Sequence, residues 1–302
     1  MTGDAGGGRG GPPTCCLEVL GHSREPGKLR VEIFRRIVQR DGNCGCVALH
    51  ADFLASVQGR ADLRCLDRGF EFVGGAQAEY LRVPLADGTL VATPDLPADG
   101  HVASLLSCSD VMGTGWYAAV AAEVGPGSTV AVVGDGAVGL CAIIAAKELG
   151  AERIIAMSRH ASRQALARAF GATDIIAERG EDGVAQVKEL TDGVGADAVL
   201  ECVGTPESMR QALHSTRPGG NVGFVGVPHG VEINGEELFY SHVALRGGPA
   251  PVRGFLPDLI ERVLAGRINP GKVFDLTLPL DEIAEGYRAM DERRAIKALV
   301  RP

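Results

Sequence analysis

Ser128-Thr-Val-Ala-Val-Val133-Gly134-Asp135-Gly136-Ala137-Val138-Gly139 is a β-branched run that ends in a glycine-rich turn and enters an apolar helix closing at Gly150. The run has no polar face, as expected of a strand covered on both sides of a parallel sheet. The turn has the spacing G-x-G-x-x-G between strand and helix, the setting in which that motif cradles a dinucleotide pyrophosphate. Gly134 makes the tight turn, Gly136 lets the backbone approach the phosphates, and Gly139 lets helix and strand pack closely. Ala137 and Val138 open the helix, whose free N–H groups and dipole favour an anion.

The same alternation continues downstream. A second strand is predicted over Arg153 to Met157, then a helix from Ser162 to Phe170 with Leu166 and Phe170 on one face. Further strands are predicted over 174–177, 196–203, 221–227 and 242–245. Val184, Val187 and Leu190 mark one intervening helix, and Thr205-Pro206 caps another that holds Met209 and Leu213. This predicts an α/β fold, a six-stranded parallel sheet doubly wound with helices over residues 106–248. Beyond it come a helix over 255–268 with an apolar stripe (Leu256, Leu259, Ile260, Val263, Leu264), a strand over 273–280, a helix over 281–293 and a strand over 296–300. Residues 1–64 are rich in Gly and Arg, lack a clean strand or helix pattern, and receive no fold assignment.

The 302 residues carry a net charge of −8, which argues against nucleic acid as a partner. No apolar run is long enough for a bilayer, and the opening Met-Thr-Gly-Asp-Ala-Gly-Gly-Gly has no apolar core of a secretory signal. A cytoplasmic location is expected. The eight cysteines (15, 16, 44, 46, 65, 108, 141, 202) do not form a disulfide pattern and are expected as thiols or metal ligands. Cys141 and Cys202 lie in apolar elements and read as small core residues.

The second strand ends in Met157-Ser158-Arg159-His160, without the acid that usually holds the ribose hydroxyls of NAD. Ser158 and Arg159 suit a 2′-phosphate instead, so NADP is preferred to NAD. Val203, Gly226 and Val227, in turns after later strands, are read as further cofactor contacts.

Several motifs occur in a family's order: Ala76-Gln-Ala-Glu-Tyr80, Ser109-Asp110-Val-Met-Gly-Thr114-Gly115, the cradle, Glu201-Cys202-Val-Gly204, and Arg217-Pro-Gly-Gly220 leading into Val222-Gly-Phe-Val-Gly226. On these, the chain from Cys65 to Pro302 resembles the zinc-containing alcohol dehydrogenases of the medium-chain superfamily. The resemblance implies hydride transfer between an alcohol or aldehyde carbon and a nicotinamide, with a zinc ion held by three protein ligands as Lewis acid. It implies a partial β-rich, GroES-like catalytic domain built from residues 65–105 and 249–302, and a homo-dimer or homo-tetramer. It places Asp110 at the last catalytic zinc ligand and Thr114 at the nicotinamide end. Gly21-His22 resembles the start of the family's Gly-His-Glu ligand element, with Ser23 where Glu should stand, and Cys65 resembles the last ligand of a structural zinc lobe.

The family's early zinc-binding Cys has no counterpart here. The length from Gly21-His22 to Cys65 matches the family while the residues between do not, which is the expectation for out-of-frame translation over about 23–64 and a truncated N-terminus. Two alternatives stand beside the zinc enzyme: a zinc-free cofactor-binding protein, quinone-reductase-like or catalytically impaired, and a non-enzymatic redox sensor.

Overall fold

The computed structural model describes residues 45–47 and 90–301. A short strand β1 (Gly45–Val47) pairs antiparallel with β2 (Val91–Thr93), so a strand from the unassigned stretch joins the start of the described body. Two helices follow, α1 (Asp99–Cys108) and α2 (Val111–Ala121). α1 carries little amphipathic signal, with polar Ser104 and Ser107 among its buried residues, and the sequence pattern did not single it out.

The chain then alternates: β3 (Thr129–Val133), α3 (Ala137–Glu148), β4 (Arg153–Met157), α4 (Ala161–Phe170), β5 (Asp174–Ile176), α5 (Gly180–Leu190), β6 (Ala196–Glu201), α6 (Pro206–Ser215), β7 (Thr216–Phe224), α7 (Gly235–Ser241) and β8 (Ala244–Gly247). All six strands from β3 to β8 are parallel, in the order β5-β4-β3-β6-β7-β8. The expected doubly wound sheet is therefore present. Its order reverses between β3 and β6, and ligands of such sheets bind at the strands' carboxyl ends beside that reversal.

The residues of β3 explain the two layers. Val130 and Val132 point into the core shared with Met112, Trp116, Leu140 and Ile143, while Ala131 and Val133 point into the core holding Ile155, Ile176, Val187 and Val222. Both faces of the strand are buried, so a period-two pattern would be wrong for it, and the unbroken apolar run is the physical requirement. α2 is covered almost all round and lies between the sheet and a later helix, which is why its sequence (Val111-Met-Gly-Thr-Gly-Trp-Tyr-Ala-Ala-Val-Ala121) has no charged residue.

Several boundaries differ from the sequence reading. β6 stops at Glu201 rather than 203, because its last side chain folds back onto the amides of Val203 and Gly204. β7 begins at Thr216 and ends at Phe224, its register interrupted opposite 196–198 and resumed at Asn221. The C-terminal part contains α8 (Val252–Leu264), β9 (Phe274–Pro279), α9 (Ile283–Asp291) and β10 (Lys297–Arg301), with β9 and β10 paired in parallel. α8 ends before 268 because the amides of Arg267 and Ile268 turn back to the Arg262 carbonyl. A 3-10 turn over Leu280–Glu282 replaces the first turn expected of α9. The apolar stripe of α8 packs into the core of α1 and α2, where Leu256, Leu259 and Val263 lie beside Leu105 and Trp116. Among the described residues, no helix is long and apolar enough to cross a membrane.

Candidate dinucleotide-binding site

The cradle is set by close backbone contacts. At Gly139 a Cβ would come 2.0 Å from the Gly134 carbonyl oxygen, and Gly134 itself holds φ +119° with Val203 Cγ2 2.8 Å from where its Cβ would be. Any other residue at 139 would push the loop off the helix. Around Gly136, which precedes the first turn of α3, a Cβ would meet nothing within 4 Å. The loop is thus tight on its protein side and open on the side where the first amides of α3 point. That is the geometry required for an incoming pyrophosphate.

Two turns flank this opening. Glu201, with no exposed surface, accepts from the amides of Val203 (2.9 Å) and Gly204 (2.8 Å) and from the Ser208 hydroxyl (2.7 Å) through Oε1. Its Oε2 is buried without a partner, 2.7 Å from where a Cβ would stand on Gly226. Gly226 donates to the Glu201 carbonyl at 3.3 Å and lies against Gly204. These contacts fix the turns that present Val203 and Val227, whose exposures of 46% and 65% are high for apolar residues beside a cleft. The His229 amide donates to the Gly204 carbonyl at 3.0 Å, tying the loop after Val227 to the same turn.

At the end of β4 the Ser158 hydroxyl donates to Asp135 Oδ2 at 2.9 Å, and Arg163 donates to Asp135 Oδ1 at 3.2 Å. Burial alone pushes the Asp135 carboxyl up, but the Ser158 hydroxyl and the Arg163 guanidinium outweigh it and hold it below the ordinary carboxylate value. A carboxylate therefore does stand at the end of the second strand, supplied by the glycine loop. Arg159 follows as an exposed side chain.

Below the cradle, α2 begins at Asp110, whose side chain makes no cap hydrogen bond and instead meets Lys297 Nζ of β10 at 3.4 Å. One turn on, the Thr114 hydroxyl is buried without a hydrogen-bond partner. Cys108 and Cys141 are buried nearby, and burial pushes the Cys108 thiol up to about 12 and that of Cys141 well above its ordinary value. Both remain protonated at neutral pH and are poor metal ligands in this state. Cys202 is half-buried, and burial raises its thiol likewise.

Comparison with known proteins agrees with this architecture. The zinc-binding dehydrogenase family profile matches residues 137–262. A probable zinc-binding alcohol dehydrogenase of Mycobacterium tuberculosis is 40% identical over 222 residues, covering 72% of this chain and 56% of that protein. An NADP-dependent isopropanol dehydrogenase of Clostridium beijerinckii is 33% identical over 239 residues, covering 76% of this chain and 67% of that protein. The solved structure of an alcohol dehydrogenase from Thermus sp. ATN1 superposes with a TM-score of 0.71 at 33% identity, covering 77% of this chain and 67% of that one.

The chain belongs to the zinc-type alcohol dehydrogenase family. It spans a little over half the length of the first curated relatives, 56% and 55% for two of them.

A zinc-type alcohol dehydrogenase needs three protein ligands for its catalytic ion. Of the expected donors, Asp110 is described, while His22 and Cys65 lie outside the described residues. Among the described residues no group of three His, Cys, Asp or Glu side chains is placed to hold a metal, and the one candidate carboxylate is paired with an ammonium. The described residues alone do not fit a zinc ion. They do fit a dinucleotide, because the cradle has an open face and two exposed valines stand beside it. The structure sets Gly134 against Gly139 and Val203, Gly204 against Gly226 and Val227, and Ser158 against Asp135 of the glycine loop, with Arg159 exposed one residue further on. Asp135, Arg163, Glu201 and Lys297 are the residues that the motif spacing missed. Asp135 occupies one of the motif's free positions, Arg163 and Lys297 meet their partners 28 and 187 residues away, and Glu201 closes a turn on its own neighbours Val203, Gly204 and Ser208.

Proposed function

We propose that this chain binds a nicotinamide dinucleotide along the carboxyl ends of β3, β4 and β6, NADP in preference to NAD, and serves hydride transfer to or from an alcohol or aldehyde carbon. The observation that carries the reading is the cradle, closed by Gly139 against Gly134 and open at Gly136. The first amides of α3 hold the pyrophosphate, and Val203 and Val227 cover the cofactor's apolar faces. The Thr114 hydroxyl, otherwise unpartnered in a buried position, donates toward the nicotinamide end and orients it. Bound nicotinamide supplies the hydride acceptor in one direction and the donor in the other. The NADP preference rests on Arg159 and on the absence of an exposed acid after β4, and the Clostridium relative is named for NADP. A small alcohol or aldehyde is the substrate class that the family suggests.

No step is routed through zinc. In the main reading, Asp110 would hold the ion together with donors outside the described residues, and the ion would supply Lewis-acid polarisation of the substrate oxygen. A second reading, a zinc-free relative, is favoured by one observation: the Lys297 ammonium, 3.4 Å from Asp110, holds the carboxylate a metal would need. We also propose a homo-dimer or homo-tetramer joined along β8, the last strand of the sheet, with Phe239 and Tyr240 exposed just before it. We place the protein in the cytoplasm, where buried thiols such as Cys141 stay reduced.

Fluorescence titration of the purified chain with NADPH and NADH, with zinc analysis of the same sample, tests the proposal. Tight NADPH binding with about one zinc per chain, as one catalytic site requires, supports the zinc enzyme, and simple alcohols then reduce the cofactor. Cofactor binding without zinc selects the second reading. Binding of neither cofactor overturns both.

A further inference from the structure

β4 and β5 run parallel with Met157 beside Ile176, and the Ser158 amide donates to the Ile176 carbonyl at 2.9 Å. Their carboxyl ends therefore open on one edge, next to the cradle after β3. Arg159 leaves β4 at this edge. Arg179 follows β5 by three residues and is the residue on which α5 begins. Both side chains are exposed, and among the described residues neither forms an ion pair.

The charge balance at this edge is uneven. Arg163 and Asp135 neutralise each other, with side chains only 11% and 9% exposed, so that pair offers no net charge to a ligand. Arg159 and Arg179 are left over. Burial first and the Arg159 charge second lower the affinity of Arg179 for its proton, with Arg293 adding to this and Asp135 opposing it. The two guanidiniums act on each other across the strand ends, and the Asp135 carboxylate that also reaches Arg179 is already paired with Arg163, so an incoming anion meets two cations that have no ion pair of their own. A phosphate monoester is the anion that two planar forks bind best from two sides.

We infer that Arg179 is a second specificity residue for the 2′-phosphate of NADP, acting from the turn after β5 alongside Arg159 in the turn after β4. This rests on the NADP reading above. NAD, which carries a hydroxyl at that position, gains nothing from either guanidinium.

The test is titration of the full-length chain and its Arg159→Ala, Arg179→Ala and Arg179→Lys variants with NADPH and NADH. Arg179→Ala is expected to weaken NADPH about tenfold, the loss of one charge-assisted contact, and to leave NADH within about twofold. Arg179→Lys is expected to recover part of the loss, since it keeps the charge without the fork. Equal affinity of the unaltered chain for NADPH and NADH overturns the NADP reading and this inference together. A preference for NADPH that Arg159→Ala erases and Arg179→Ala leaves intact overturns the inference alone. Equal weakening of both cofactors by Arg179→Ala also overturns it, because the residue then supports the shape of the site and does not read the phosphate.

Discussion

Ser158 and Asp135 are joined at 2.9 Å across the mouth of the cradle, the hydroxyl at the end of β4 donating to a carboxylate from the glycine loop. Arg163 of α4 closes the carboxylate from the other side at 3.2 Å and also reaches the Asp135 carbonyl at 3.3 Å. The consequence is that the loop is anchored to the next strand and helix before any ligand arrives. It also means that Ser158 is already engaged, which leaves anion recognition at this edge to the arginines.

Asp135→Ala should therefore cost stability as well as binding. It leaves the Arg163 guanidinium with little exposure and no counter-charge, and breaking a pair of this kind costs about 3 kcal/mol. Urea unfolding of the variant checks the value. A change below about 0.5 kcal/mol, the size of an ordinary surface substitution, would mean that Arg163 escapes to solvent.

The same residue gives a pH dependence. The folded Asp135 carboxyl titrates below its ordinary value, so its ionised form stabilises the fold. That contribution is complete above the unfolded carboxylate value of about 3.9 and is lost as pH falls through the lowered folded value. The stability difference between the natural chain and Asp135→Asn should be flat above about pH 5 and shrink below about pH 4. Asp174 and Asp197 are also lowered, the first chiefly by the Arg153 hydrogen bond and the second, against its burial, by the Thr129 amide and Arg217. Both are common to the two proteins and cancel in the difference.

Gly139→Ala places a methyl 2.0 Å from the Gly134 carbonyl oxygen, a backbone atom that has no rotamer to escape through. The loop must move, at a cost of about 1–3 kcal/mol. NADPH titration should then show binding lost well beyond what the change in melting temperature explains.

Glu201→Ala removes the acceptor shared by Val203, Gly204 and Ser208 and opens a void in a fully buried position. The expected cost is about 3 kcal/mol. Glu201→Gln keeps one carbonyl oxygen for these donors and should retain most of the stability. If the two variants unfold at the same denaturant concentration, the hydrogen bonds to Oε1 are not what holds the turn.

Arg262 joins three helices: it donates to Glu148 of α3 at 2.5 Å and to Asp258 of α8 at 2.8 Å, with its guanidinium 4.9 Å from the Trp116 ring of α2. Arg262→Lys keeps the charge but cannot serve all three, and about 1–2 kcal/mol should be lost. Thermal unfolding measures this, and an unchanged midpoint would reduce the cluster to a surface ion pair of little energetic weight.

The sequence by itself determined the sheet. Parallel strands buried on both faces demand apolar runs, and Val130–Val133, Ile154–Met157 and Ala198–Leu200 announce themselves for that reason. It also determined the cradle, because three glycines at fixed spacing are a local steric requirement. Tertiary structure alone decided the rest. Helix α1 is held by contacts to a segment more than 160 residues away, such as the Ser104 hydroxyl to Asn269 at 2.8 Å, and such contacts leave no periodicity to read. The stripe of α8 was visible, but which surface it would cover was not, since apolar residues carry no address. The acid missing from the end of β4 is supplied by Asp135, 23 residues earlier, and Lys297 reaches Asp110 across 187. Charge pairing depends on distance in space, and the winding of the sheet is what makes those distances short.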